Sequence, residues 1–301
     1  MRPWCHNLAN RHSSIEIENI RQNVDSKFYE ILESTHENTL KLVEGAEAAT
    51  SSQLFFPRFQ ALILTDATAD AQKLLTQAEG ILPPGAKAKA KAYLGKARGE
   101  STAIANYLKW AKQNNDPKQI VEAGRFALLS GDGDAAREAY VNVLTTTPQA
   151  LGPDECGQLL QLALNARDTS LALRTARVLH SRNPNRWGIR NNLTWLALLS
   201  GENPVPLEKE AHRIVDAVPD NPNFLSTLAL AKLLAEKPNE AIRAMRDRRG
   251  ARLLPGEKAL LAAALFAQGN EEEARKCTKD LSAIRMLPEE WALLLRFSGK
   301  K

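Results

Sequence analysis

The densest group of charged side chains that could bind a ligand in this chain is a run of arginines. Five arginines occupy one short segment around Gly250, namely Arg243, Arg246, Arg248, Arg249 and Arg252. Guanidinium groups bind phosphate, so the run could form a contact to nucleic acid. It could also be the solvated end of a helix, because the helix dipole stabilises cations near a C-terminus. The run coincides with the end of an amphipathic segment, which favours the second interpretation.

A second group of potential ligands lies near the N-terminus, where Cys5, His6 and His12 are close in sequence. A structural zinc site brings four such ligands to one point, and no fourth ligand accompanies these three. The chain also has no Gly-rich phosphate loop, His-Glu zinc pair or nucleophile elbow. We therefore predict no metal ligand, no cofactor, no catalytic residue and no enzymatic activity. An all-α enzyme is the second alternative function, and a deep pocket of converging ionisable groups would favour it.

The composition sets the class and the expected compartment. The 301 residues are 44% hydrophobic and 25% charged, with a net charge of +5, values ordinary for a soluble protein. Three distant cysteines predict no disulfide framework and favour a reducing compartment. No apolar run reaches the length of about 18 residues that a transmembrane helix needs, and the first residues do not form a signal peptide. We expect a cytoplasmic protein, with a longer, membrane-anchored form left open.

The elements that position these residues follow from an alanine that recurs after a turn, early in a short amphipathic run. The recurrences are Ala69, Ala103, Ala136, Ala172, Ala241 and Ala274. Successive gaps are 34, 33 and 36 residues, then 69 (about two periods, with Leu207 near the midpoint) and 33. A fixed period in this range indicates a helical repeat. We expect these alanines to be buried at helix crossings.

The copy from Lys118 to Pro148 shows the pattern within one repeat. Apolar residues at helical spacing form two successive stripes, separated by the sequence Ser-Gly-Asp-Gly-Asp at 130–134. Gly can end the first helix, and Asp134 can cap the second. Four residues of this copy resemble the tetratricopeptide repeat family: Gly124 in the first helix, and Ala136, Tyr140 and Pro148 in and after the second. Residues 183 to 297 also resemble the C-terminal part of uncharacterised bacterial repeat proteins of the Verrucomicrobia type, in NNLTWLALLSGEN, PNFLSTLALAKLLAEKPNEAI and LPEEWALL.

The resemblance implies an all-α, right-handed helical-repeat solenoid of about seven antiparallel helix pairs. We assign 1–14 to a loose tail, 15–51 to an N-terminal helical hairpin or cap, and 52–288 to the repeat array. We assign 289–301 to a C-terminal capping helix and tail, and we expect the apolar stripe of Trp291, Leu294 and Leu295 to cover the last repeat. The hairpin could instead mediate dimerisation or pack on a part upstream.

In the family that the chain resembles, the first helix of each pair lines a concave groove that binds a peptide or a partner helix. Carried over by position, the groove residues are Val121, Arg125, Leu128, Gln161, Leu164, Asn165, Asn191 and Asn192. The lysines that alternate with alanines from Lys87 to Lys96 are interpreted as a solvated helix surface. Trp110 is interpreted as packing between repeats.

These observations predict a protein-protein interaction scaffold that binds a protein or peptide partner and has no catalytic role. The first alternative is a nucleic-acid-associated regulator that uses the run from Arg243 to Arg252. Salt-dependent binding of DNA or RNA would distinguish the two, since phosphate contacts weaken steeply with salt. The sequence leaves the partner, the pathway and the oligomeric state open.

Overall fold

The computed structural model describes residues 52–219, 221–248 and 252–299. The predicted tail at 1–14 and the predicted hairpin at 15–51 lie outside this part of the chain. The described residues fall into two compact units, 52–151 and 152–299.

The unit 52–151 consists of six α-helices followed by a short 3-10 turn. Its helices are α1 (Ser52–Leu64), α2 (Thr68–Gln77), α3 (Pro84–Ala97), α4 (Ala103–Gln113), α5 (Pro117–Leu129) and α6 (Gly133–Thr146). Short turns join α1 to α2, α3 to α4 and α5 to α6, and the two members of each pair pack against each other. Within this unit α2 also packs against α3, and α4 packs against α5.

The unit 152–299 continues the same plan with four pairs and one further helix. Its helices are α7 (Pro153–Asn165), α8 (Thr169–Arg182), α9 (Trp187–Leu199), α10 (Pro204–Ala217), α11 (Pro222–Leu234), α12 (Pro238–Arg246), α13 (Pro255–Gln268), α14 (Glu271–Thr278) and α15 (Pro288–Ser298). The described residues therefore contain seven helix pairs and no strand, which confirms the predicted all-α helical-repeat fold. None of these helices is both long enough and apolar enough to cross a bilayer.

Local signals fix where the helices of the α5/α6 pair begin and end. Pro117 occupies the first turn of α5, where its missing N–H costs nothing, and the Asp116 carboxylate accepts the backbone N–H of Lys118 at 2.9 Å. The α5 helix is followed by Gly131, whose φ of 77° is in the left-handed region. The α6 cap is Asp132, which accepts the Ala135 N–H at 3.0 Å. The prediction that Asp134 caps this helix is wrong. The helix α6 begins at Gly133, so Asp134 lies inside its first turn.

The α5/α6 crossing is close because one of its residues has no side chain. A Cβ atom placed on Gly124 would lie 2.6 Å from Tyr140 Cε1 and 3.1 Å from Ala139 Cβ. Such contacts are far inside van der Waals distance, so the two helices can approach this closely only with glycine at 124. Ala136, Ala139 and Tyr140 on the facing helix have no exposed surface. The crossing is therefore a dry, tightly packed interface.

The recurring alanine is buried at five of the six predicted positions, namely Ala103, Ala136, Ala172, Ala241 and Ala274. The prediction for Ala69 is wrong: Ala69 is exposed, and Ala71 is the buried alanine of α2. The α2 helix begins at Thr68, which puts Ala71 on the face toward its neighbours and Ala69 on the opposite side. In α10 the position of Leu207 is only half-buried, and Ala211, one turn further on, is the buried residue.

The last helix, α15, packs on α13, the first helix of the final pair. Leu294 belongs to a buried cluster with Ala259 and Ala262 of α13, and Trp291 packs against that cluster. Met286 and Leu287, just before α15, are completely buried. This segment also contacts the turn between α7 and α8, because Arg167 Nε donates to the Met286 carbonyl at 2.8 Å. The segment from Met286 to Leu294 therefore packs against the last pair of this unit and also contacts its first pair.

We predict that Gly124→Ala destabilises the protein by roughly 1–3 kcal/mol, because its Cβ forces the Tyr140 ring out of a packed crossing. Gly157→Ala is the matched control: Gly157 also lies in a first helix, and a Cβ there meets nothing within 4 Å. Alanine is the better helix former, so the control should be neutral or stabilising by up to about 1 kcal/mol. Urea unfolding of the two variants measures the difference. Equal free energies of unfolding would contradict the close crossing.

Candidate functional site

A pocket of about 380 Å³ opens in the unit 52–151, on the face formed by the first helices of its three pairs. Phe56 comes from α1, Lys89 from α3 and Glu122 from α5, and Trp110 reaches the pocket from α4. The remaining wall comes from the start of α3, at Pro83, Gly85 and Ala86, and from the start of α5, at Asp116 and Gln119.

The first three of these side chains are equivalent positions of successive repeats, since Phe56, Lys89 and Glu122 are spaced 33 residues apart. Lys89 Nζ lies 2.5 Å from Glu122 Oε1 and 4.8 Å from the centroid of the Phe56 ring. The ammonium group therefore combines an ion pair with a cation-π contact. One helical turn further, Tyr93 and Phe126 repeat the spacing, and their rings stack with centroids 4.2 Å apart. A ladder of contacts thus joins equivalent positions of neighbouring first helices.

A hydrogen bond under the pocket fixes the amide of Gln119. The Tyr107 hydroxyl donates to Gln119 Oε1 at 3.0 Å. Burial raises the pKa of Tyr107 well above its usual value, and the carboxylate of Glu122 raises that pKa further. Tyr107 therefore stays protonated and remains a donor throughout the neutral range. Because its Oε1 accepts this bond, Gln119 is held in one orientation with its NH₂ group still able to donate.

Asp116 and Trp110 complete the polar and aromatic parts of the wall. Asp116 Oδ1 accepts the Lys118 N–H as the cap of α5, which holds this carboxylate at the rim. The Trp110 indole stacks on Tyr107, with ring centroids 6.3 Å apart, and is itself half-buried. The pocket therefore offers aromatic surface, one ammonium, two carboxylates and one oriented amide. These groups suit non-covalent binding of a chain that carries both polar and apolar groups.

The eight predicted groove residues differ in how far their side chains are exposed. Arg125 and Asn165 are exposed, and Leu128 and Gln161 are half-buried. The other four, Val121, Leu164, Asn191 and Asn192, are at most 5% exposed. The expectation of an open surface is wrong for these four, because their side chains are packed inside the protein. Binding of a partner by any of the eight stays a prediction.

The arginine run does not form one basic surface. Arg248 is buried, and its NH1 lies 2.9 Å from Glu257 Oε2 while its Nε donates to the Pro222 carbonyl at 2.9 Å. Arg246 pairs on the surface with Glu273 at 3.0 Å. Arg243 and Arg252 are exposed, and Arg249 lies outside the described residues. Arg248 is therefore part of the packed interior and contributes no free positive charge to the surface.

Sequence reasoning missed the pocket residues, although a signal was present. Lys89 was interpreted as part of a solvated helix surface, and indeed Lys87 and Lys91 both reach toward Glu79 on that surface, at 3.8 and 3.5 Å. Lys89 points elsewhere, into the pocket. The 33-residue spacing that links Phe56, Lys89 and Glu122 was visible in the sequence. It becomes informative only when side chains are compared across repeats.

The two described cysteines do not carry a reactive thiolate. Burial raises the pKa of Cys156, and Arg182 offsets this only in part. Burial likewise raises the pKa of Cys277, and Glu273 adds to that effect. Both side chains therefore remain thiols near neutral pH, which suits packing more than nucleophilic chemistry. No group of three or more metal-ligating side chains occurs within the described ranges.

Comparison with known proteins finds likenesses among solved structures only. No family model matches the chain, and no curated protein matches it. A crystal structure of MamA protein has a TM-score of 0.39 and 15% identity, covering 61% of this chain and 92% of its own. A second MamA structure has a TM-score of 0.38 and 16% identity, covering 58% and 96%. A tetratricopeptide repeat protein from Parabacteroides merdae ATCC 43184 has a TM-score of 0.44 and 12% identity, covering 85% and 100%.

The raised pKa of Tyr107 predicts a loss of stability at alkaline pH. Above the ordinary tyrosine pKa of about 10, the unfolded chain releases this proton while the folded protein keeps it, so the free energy of unfolding falls as pH rises. We expect Tyr107 to account for a loss of about 1 kcal/mol between pH 9 and pH 11. Urea unfolding at both pH values should show a smaller loss in Tyr107→Phe, which cannot titrate. An identical alkaline loss in the two proteins would contradict the assignment.

Proposed function

We propose that the chain is a protein-interaction module that binds an extended peptide segment of a partner on the first-helix face of the unit 52–151. The pocket between α1, α3, α4 and α5 is the observation that carries this proposal. It lies where equivalent positions of three repeats converge, and its volume of about 380 Å³ accommodates one or two side chains of a peptide.

The chemistry of the wall supports a peptide as the ligand. A peptide presents amide donors and acceptors along its backbone, and the pocket offers both kinds of partner in Gln119, Asp116 and Glu122. The aromatic rings of Phe56 and Trp110 give apolar area for a side chain. Aromatic anchors of this kind contribute a large share of the binding free energy in protein interfaces.

The nucleic-acid alternative loses its main support in this geometry. It depended on a joint positive surface from Arg243 to Arg252, and the charge of Arg248 is compensated by buried Glu257. Arg246 is paired with Glu273. The two remaining described arginines of the run, Arg243 and Arg252, do not make a surface that could track a phosphate backbone.

Selection from a random dodecapeptide display library, with the full chain as bait, tests the proposal. We expect enriched peptides whose affinity falls at least about tenfold on Trp110→Ala, the loss typical of an anchor residue. Ala86→Gln should also weaken the binding of these peptides, because the longer side chain fills the pocket from the half-buried position 86. This substitution removes no core side chain. Ile284→Ala is the control, because Ile284 is 79% exposed and belongs to the other unit.

Circular dichroism melts establish that each variant is folded before binding is measured. Peptides that bind wild type, Trp110→Ala and Ala86→Gln equally would overturn the proposed site. Failure to enrich any peptide would count against peptide binding as the function.

A further inference from the structure

The pocket carries one more negative than positive charge. Its charged side chains are Lys89, Asp116 and Glu122. Lys89 is already paired with Glu122 Oε1. Asp116 accepts its backbone hydrogen bonds through Oδ1 alone. Among the described residues, neither Asp116 Oδ2 nor Glu122 Oε2 accepts a hydrogen bond. The unused bonding capacity of the charged wall therefore consists of carboxylate oxygens.

The aromatic part of the wall also suits a cation. Lys89 shows how the chain itself places a positive charge here, against the Phe56 ring and beside Glu122. Trp110 is the other aromatic ring of the wall, and no cation of the described chain lies over it. An indole ring attracts cations more strongly than a phenyl ring does. The pocket therefore has a second aromatic ring in the same wall as its two carboxylates, with no cation of the described residues over it.

We infer that this pocket binds an arginine side chain of the partner peptide, with the guanidinium over Trp110 and paired with the carboxylates of Asp116 and Glu122. The inference rests on the peptide-binding function proposed above. Arginine fits better than lysine because its planar group stacks on an aromatic ring and presents a fork of N–H donors to carboxylates. Neither Asp116 nor Glu122 needs to give up a bond that it already makes.

An acidic side chain is the opposite alternative, and the same geometry disfavours it. An incoming carboxylate would have to draw Lys89 away from Glu122. It would then lie beside two carboxylates with a single ammonium to balance three negative charges, which is electrostatically unfavourable in a partly enclosed pocket.

Small neutral-capped amino acids test the inference directly on the full, ¹⁵N-labelled chain. The probes are N-acetyl-arginine amide, its uncharged analogue N-acetyl-citrulline amide, and N-acetyl-glutamate amide. Binding is followed by the indole N–H resonance of Trp110, assigned by its disappearance in Trp110→Phe. We expect a saturable shift with the arginine probe and a Kd at least about fivefold higher for citrulline, the effect of removing one partly exposed charge contact.

Two variants, each removing one charge of the Lys89–Glu122 ion pair, change the Kd in opposite directions for an arginine ligand and for an acidic ligand. For an arginine ligand, Glu122→Gln should raise the Kd about fivefold, and Lys89→Met should leave the Kd unchanged or lower it, because the competing cation is gone. Both substitutions are near-isosteric at half-buried positions, and unchanged melts would show that the fold is intact. Equal affinity for arginine and citrulline, or no shift with arginine, would overturn the inference.

Tighter binding of the glutamate probe, lost in Lys89→Met, would reassign the pocket to acidic side chains. The failure of the inference is distinguishable from the failure of the proposed function. Display peptides that depend on Trp110 but tolerate replacement of every arginine would refute the inference and retain the peptide-binding site. A saturable arginine shift, with no display peptide whose binding depends on Trp110, would retain the arginine-binding pocket and refute peptide binding at this site.

Discussion

The structure depends on close crossings between paired helices, which only small side chains permit. At the α5/α6 crossing, Gly124 leaves room for the Tyr140 ring, and a single added carbon would come within 2.6 Å of it. In other pairs the second helix contributes fully buried alanines, among them Ala71, Ala172 and Ala241. These positions contribute little apolar area themselves. They stabilise the fold because they let the larger side chains beside them pack at the density of a protein interior.

Regular crossings also determine the surface chemistry. Because the pairs of the unit 52–151 stack with nearly the same repeat length, residues 33 positions apart lie side by side on neighbouring first helices. Phe56, Lys89 and Glu122 meet in this way, and so do Tyr93 and Phe126. The pocket is thus a consequence of the repeat: α1, α3, α4 and α5 each supply part of its wall, and no helix could form the site alone.

Much of the fold could be predicted from the sequence, because a period of small residues directly reflects a packing constraint. The errors occur where helix boundaries move. Ala69 was misplaced because α2 begins at Thr68 and turns Ala71 inward, and Asp134 was misplaced because α6 begins at Gly133. Such one- or two-residue shifts depend on tertiary contacts that local patterns do not contain.

The candidate site was harder to predict, because its residues are informative only in combination. Lys89 in isolation has the pattern of a solvated lysine, and its role depends on Phe56 and Glu122 in other repeats. Arg248 shows the reverse error, since its position in a basic run concealed its buried partner Glu257. The groove positions Val121 and Leu164 were carried over by their place in the repeat, and that place alone did not reveal that both side chains are buried.

The stability of the helix pairs depends on buried alanines of the second helices, as at Ala136 of α6. Ala136→Glu and Ala69→Glu test this dependence most directly, because the two alanines were equivalent by sequence and differ in burial. Ala136→Glu should lower the free energy of unfolding by roughly 3 kcal/mol or more, since it places a carboxylate in a packed interface. Ala69→Glu, on the exposed first turn of α2, should change it by no more than about 0.5 kcal/mol. Equal losses in the two variants, measured by urea unfolding, would contradict the account.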